Sequence, residues 1–210
     1  MITAKTFEDI ITGNLRQQLS AIRKILIMCE MCEEKYPEYG TPAVLTGGWL
    51  RDFYAKINGV NNIDYSKSFN DFDICVFNED TLLFLEEKLL GFGFVLISRM
   101  NSILAHYEWE NPHIYKIQLK LDNIKFDIFQ ANRWNVLQTL KEFDFRENSL
   151  FYDSYGKLNE TISGALESIK RGELTINNKH RKNFEERYLS FQQRGWKISE
   201  KNISKKMKKK

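Results

Sequence analysis

The stretch from Val44 to Phe77 constrains this chain more than any other. An apolar pair, Val44-Leu45, leads through Thr46 into Gly47-Gly48, and Trp49, Leu50, Arg51, Asp52, Phe53 and Tyr54 follow with the spacing of a helix start. Strand, glycine turn and helix together make an anion-binding arrangement. Glycines admit close backbone approach, and the unpaired amides of a first helical turn favour negative charge. Arg51 adds a planar cation suited to phosphate oxygens. Further on, Phe72, Ile74 and Val76 alternate with Asp71, Asp73 and Cys75, which predicts a strand with apolar side chains on one face and two carboxylates on the other. Carboxylates aimed the same way repel unless a cation lies between them, and such oxygen donors suit magnesium that also holds phosphates. Asp-x-Asp alone recurs on surface strands and turns; the upstream Gly-Gly-x-x-Arg-Asp makes the pairing far more specific.

The strings GGWLRD and DFD resemble the head domain of the tRNA nucleotidyltransferase and poly(A) polymerase family, within the DNA polymerase β-like nucleotidyltransferase superfamily, with the class II CCA-adding enzymes most similar among its members. The resemblance runs over residues 40–197 and is strongest at this core. It implies an α+β fold: a catalytic head of mixed sheet and flanking helices over residues 1–155, a short helical neck over 156–197, and a basic disordered tail over 198–210. It also implies transfer of a nucleoside monophosphate from a nucleoside triphosphate, with pyrophosphate released. Two magnesium ions, or manganese in their place, would be held by Asp71, Asp73 and Asp127. Gly47, Gly48, Arg51 and Asp52 would face the triphosphate.

Asp127 also stands out on its own chemistry, between Phe126 and Ile128 on an expected strand from Ile124 to Phe129. A carboxylate inside an apolar strand is costly unless it is paired or on a metal; a surface position at a sheet edge is the alternative. The resemblance makes it the third acidic residue, holding metal and drawing the proton from the attacking hydroxyl. In FDFRENSLFYD, residues 143–153, Asp144, Asn148, Leu150, Tyr152 and Asp153 match the family segment beside the sugar of the incoming nucleotide. The arginines that the family carries just before that Asp are replaced by Glu142 and Phe143. Asp144 and Asn148 either keep part of the nucleotide-binding task or cap a local turn.

The remaining pattern gives amphipathic helices within residues 7–37, a helix from Glu79 to Leu90 with Asn78 as N-cap and Gly91 as its stop, and strands at 92–97, 103–109 and 114–121. Asp122-Asn123 suits a two-residue hairpin turn. The polar stretch 58–70 reads either as a loop beside the nucleotide, mobile until substrate binds, or as an ordinary connector. A hairpin and a helix are expected over 156–172, and a basic helix over 178–195 with Phe184, Tyr188 and Phe191 as its apolar stripe. That last helix resembles the one that reads the nucleobase in the family. With Arg187 and Phe191 aligned, however, His180 and Arg181 stand where the acidic residues belong and Phe184 stands at the arginine, so no base-reading set is recognisable. Arg187 remains a nucleotide-binding candidate.

Charge is informative when divided along the chain. Residues 170–210 carry fourteen Lys or Arg against four Glu, a surplus of ten, so with +3 over all 210 residues the first 169 carry −7. A basic region following an acidic one fits a polyanion with its end at the carboxylates, and the family resemblance implies that this is a tRNA-like RNA 3′ end. For the terminal KKMKKK, simple solubilisation is the equal alternative. The basic tail, a partner chain or a second copy is expected to stand in for the helical body that the larger family members possess. Hydrophobic content of 42% argues for a folded core, no run approaches bilayer length, and the N-terminus lacks a signal-peptide pattern, so a cytoplasmic protein with no membrane partner is expected. Cys29, Cys32 and Cys75 read as reduced thiols, with Cys29-x-x-Cys32, which has no second ligand pair, as two small core or boundary residues. Two other readings compete: the same transfer to a protein or small molecule, and a catalytically silent RNA-binding or interaction module.

Overall fold

The structure, a computed structural model, describes residues 13–66, 68, 71–100, 113–131, 135–180 and 183–199, with the backbone alone at 13–17 and 113–115. Helix α1 (Gly13–Lys35) leads to strand β1 (Ala43–Thr46), and the glycine turn delivers the chain into α2 (Gly48–Ile57). Then follow β2 (Asp71–Val76), α3 (Glu79–Gly91), β3 (Val95–Met100), β4 (His113–Leu121) and β5 (Ile124–Ala131). After α4 (Val136–Leu140) come β6 (Leu150–Tyr152), β7 (Leu158–Glu160), α5 (Ala165–Lys170), β8 (Glu173–Thr175), α6 (Phe184–Gln193) and β9 (Lys197–Ser199). Seven strands form one sheet in the order β3-β4-β5-β2-β1-β6-β7, and β8 pairs with β9 separately. β2 and β5 are parallel; the other pairings of the large sheet are antiparallel.

The period-two pattern decides which side of the sheet is which. Phe72, Ile74 and Val76 of β2 and Phe126 and Ile128 of β5 join a large core with Ile25 and Met28 of α1, Leu50 and Phe53 of α2, and Leu85 and Leu89 of α3. Phe72 and Phe126 stack with ring centres 5.1 Å apart, and burying each contributes about 2 kcal/mol. The opposite side carries a smaller core of Val44, Cys75 and Phe129 under Val136, Leu140 and Phe143. Alternation therefore sends Asp71, Asp73 and Asp127 out on the thinly covered side, beside this second core.

Several boundaries differ from expectation. α3 has Asn78 as its cap, accepting from the Thr81 N–H, but Gly91 is its last residue, and the left-handed glycine beyond it is Gly93 at φ +88°. β3 starts three residues later than its apolar run. The helix expected to be basic over 178–195 starts at Phe184, after a left-handed Asn183, and carries Glu185 and Glu186 against Arg187 alone, so the other basic residues of that stretch lie outside it. The short strands β8 and β9 on either side carry too few residues to show a period. The strand expected at 103–109 and the tail from 200 onward lie outside the described residues, as do residues 7–12 of the first helical stretch. All three cysteines are free and buried, and no described helix is long and apolar enough to cross a membrane.

Candidate active site

β1 ends at Thr46, whose partner across the antiparallel ladder is Asp73, so the glycine turn arrives beside that carboxylate. Gly47 sits at φ +88°, and a Cβ built on it would lie 2.1 Å from Asp73 Oδ2. The missing side chain is thus what lets Asp73 reach the start of α2, where its carboxylate accepts the Gly48 N–H. Parallel register places Asp73 opposite Asp127 and Asp71 opposite Lys125.

Carboxylates gathered on one face of adjacent strands repel. Burial, then Asp71 and Asp127, push the Asp73 carboxyl up to about 7. Asp71 is also raised, by burial and then by Asp127. Asp127 is held differently. Lys116 Nζ lies 2.5 Å from its Oδ2 and Gln118 Nε2 donates to its Oδ1 at 2.8 Å, while Ser98 Oγ donates to Gln118 Oε1 at 3.2 Å. Both Asp127 oxygens are thus engaged by β4, and among the described residues no three metal-ligating side chains converge as a ready-made cation site. The donor chemistry still fits a hard divalent cation: carboxylate oxygens gathered on one face of two adjacent strands.

Behind the turn, Arg51, Asp52, Asp144, Asn148 and Arg187 form one connected cluster. Arg51, 3% exposed, lies 2.7 Å from Asp52 Oδ1, donates to Asn148 Oδ1, and has its guanidinium 4.4 Å from the Phe191 ring centre. Asn148 Nδ2 donates to Asp144 Oδ1 at 3.0 Å, and Arg187 Nε is 2.9 Å from Asp144 Oδ2. The other Asp52 oxygen receives Arg194 Nη2 at 2.6 Å and Ser68 Oγ at 2.6 Å. Burial favours the neutral acid, but Arg51 and Arg194 outweigh it and hold the Asp52 carboxyl below its ordinary range.

The structure thus brings Gly47, Gly48, Asp71, Asp73 and Asp127 to one side of the sheet and sets Arg51 and Asp52 directly behind the turn. The charges of Arg51, Asp52, Asp144 and Arg187, expected at a nucleotide, are met here by each other and by Asn148 and Arg194. Sequence reasoning missed Lys116, Gln118, Ser68 and Arg194. The first two were within reach: a two-residue turn at Asp122-Asn123 fixes the hairpin register and places Gln118 opposite Asp127. Nothing local marks Arg194, which meets Asp52 across 142 residues.

No family model and no curated protein matches the chain. Solved structures do. A CCA-adding enzyme in complex with CTP is similar at a TM-score of 0.58 and 18% identity, over 95% of this chain and 42% of that one. A tRNA-processing enzyme in an apo form gives 0.55 and 18%, over 90% and 45%. A tRNA-processing enzyme with CTP gives 0.53 and 20%, over 80% and 43%. The chain spans less than half the length of each of these proteins. Over that span its α+β architecture is the one expected from GGWLRD and DFD: it has the fold of the part of the CCA-adding and tRNA-processing enzymes that it covers.

Proposed function

We propose that this protein is a metal-dependent nucleotidyltransferase that moves a nucleoside monophosphate from a nucleoside triphosphate to the 3′ end of a tRNA-like RNA. The observation that carries the reading is the Asp73 carboxylate seated against the Gly47-Gly48 turn, with Asp71 on its own strand and Asp127 in register on the next. A fold shared with enzymes solved with CTP supports a nucleoside triphosphate as donor.

In this reading the turn amides that Asp73 does not take receive the β- and γ-phosphates, and Arg51, paired with Asp52 and Asn148, braces the turn from behind Gly48. Asp71, Asp73 and Asp127 would hold two magnesium ions, or manganese. When bound, these supply charge neutralisation at the transferred phosphoryl group and activation of the attacking hydroxyl. The RNA 3′ oxygen bonds to the α-phosphorus as the bond to the β-phosphate oxygen breaks, and Asp127 takes the hydroxyl proton. Asn148 and Asp144 border the sugar side, joined to the turn through Arg51. Arg187, paired with Asp144, holds that border in place. The surplus of basic residues after position 170 steers the RNA.

The purified protein is incubated with magnesium, each α-labelled nucleoside triphosphate in turn, tRNA lacking its 3′ end, other short RNA and cell protein. Label in RNA that disappears in the Asp71→Ala/Asp73→Ala variant is the expected result, and the nucleotide used identifies what the site selects. Label in protein would reassign the acceptor, and RNA binding with no transfer of any nucleotide would overturn the enzymatic reading.

A further inference from the structure

Lys116 has no part in the reading above, yet its ammonium sits at the carboxylates. It points from the polar face of β4 across the hairpin, two residues from Gln118, and reaches Asp127 Oδ2 at 2.5 Å. Its side chain is 32% exposed and that of Asp127 is 13% exposed, so the pair is partly shielded from water. Asp127 stands opposite Asp73 across the parallel register, with Asp71 on the same strand as Asp73, so the ammonium reaches the carboxylate group through Asp127.

The contact has a consequence. The ammonium occupies the Asp127 oxygen that a divalent cation would use, so the two positive charges compete for one carboxylate. A nucleoside triphosphate arriving with its metal adds negative charge that offsets this competition. Gln118, itself oriented by Ser98, holds the other Asp127 oxygen, so Asp127 stays on the β4 side while Lys116 holds it.

We propose that Lys116 is a resident counter-ion that stands in for a divalent cation at Asp127 in the nucleotide-free protein, keeping metal affinity low until nucleotide and metal arrive together. The inference rests on the metal-dependent reading given above. Lys116 acts through Asp127 and not on the reacting atoms, which makes it a positioning residue.

Manganese binding to the full chain, read by the loss of free-ion electron paramagnetic resonance signal, tests it directly. Without nucleotide, Lys116→Met and the polar control Lys116→Gln are expected to bind manganese about tenfold more tightly than wild type, since a like charge next to the ion is gone. Lys116→Arg, which keeps the charge, is expected to stay close to wild type, and a non-hydrolysable nucleoside triphosphate is expected to narrow the difference. Unchanged or weaker manganese binding in folded Lys116→Met and Lys116→Gln would overturn the counter-ion role while leaving the metal-dependent reading standing. No manganese binding by any of the four proteins, with or without nucleotide, would overturn both.

Discussion

At Gly47 one missing side chain joins the two halves of the site. Its φ of +88° lies where L side chains are strained, and the space a methyl would need is filled by Asp73 Oδ2. Gly47→Ala therefore forces either the turn or β2 to move. Backbone strain alone costs about 1–3 kcal/mol, before the carboxylate is displaced. We expect a melting temperature lowered by several degrees, consistent with the usual scale for such a loss, and nucleotide transfer reduced at least tenfold. A Gly47→Ala protein that melts and transfers like wild type would contradict the close approach described here. By contrast, a Cβ on Gly48 would meet the Arg51 guanidinium at 3.5 Å, an ordinary contact, so Gly48→Ala is expected to be the milder change.

Among elements, α6 has the most consequences outside its own length. Phe191 carries the Arg51 guanidinium on its ring, Arg187 pairs with Asp144, and Arg194 just past the helix end reaches Asp52 and Ser68. The same end of α6 fastens the 58–66 stretch: the Asp64 N–H donates to the Arg194 carbonyl at 2.8 Å and Asn62 Nδ2 to the Gly195 carbonyl at 3.1 Å. Gly195, at φ +91°, leaves no room for a Cβ, which would stand 2.2 Å from the Asn62 carbonyl oxygen. The described part of this loop is thus hydrogen-bonded to the end of α6. Arg194→Met would leave Asp52 buried beside one cation where it had two, a loss of about 3 kcal/mol on the scale of broken buried pairs. The pH dependence has a definite sign. Asp52 is held below its ordinary range, so its contribution is present above the unfolded-state pKa and is lost as pH falls through the folded value. Removing Arg194 raises the folded value, so acid unfolding of the variant should begin at higher pH, and limited proteolysis should cut first within 58–66. Identical acid transitions and cleavage patterns would show that the contact does not hold the loop.

At the scale of the whole molecule, a sheet with unequal coverings explains where chemistry can occur. The helices α1, α2 and α3 cover one side, and among the described residues the smaller core under α4 covers only part of the other, beside the carboxylate rows. Charge is divided along the chain in a complementary way, −7 before residue 170 and +10 from there on. A partner that is both drawn to the basic part and processed at the acidic part is expected to bind by counter-ion release. Short RNA should therefore bind with an affinity that falls at least tenfold between about 50 and 200 mM salt. Gel-shift titrations across that range provide the check, and salt-independent binding would count against RNA as the acceptor.

What sequence alone determined is what local backbone chemistry dictates. Alternation over 71–76 fixed the side to which Asp71 and Asp73 point, because a strand has no other way to bury Phe72, Ile74 and Val76. Gly47-Gly48 specified the turn, Asn78 the cap of α3, and Asp122-Asn123 the hairpin that returns Asp127 to the site. Only the tertiary structure decided how charges are shared. Arg51 reads as an open phosphate ligand until Asp52, Asn148 and Phe191 close around it, and Asp127 reads as an isolated carboxylate until Lys116 and Gln118 take its oxygens. The reason is physical: secondary structure follows from neighbours a few residues apart, whereas the state of a buried charge depends on every group that packing brings within a few ångströms of it.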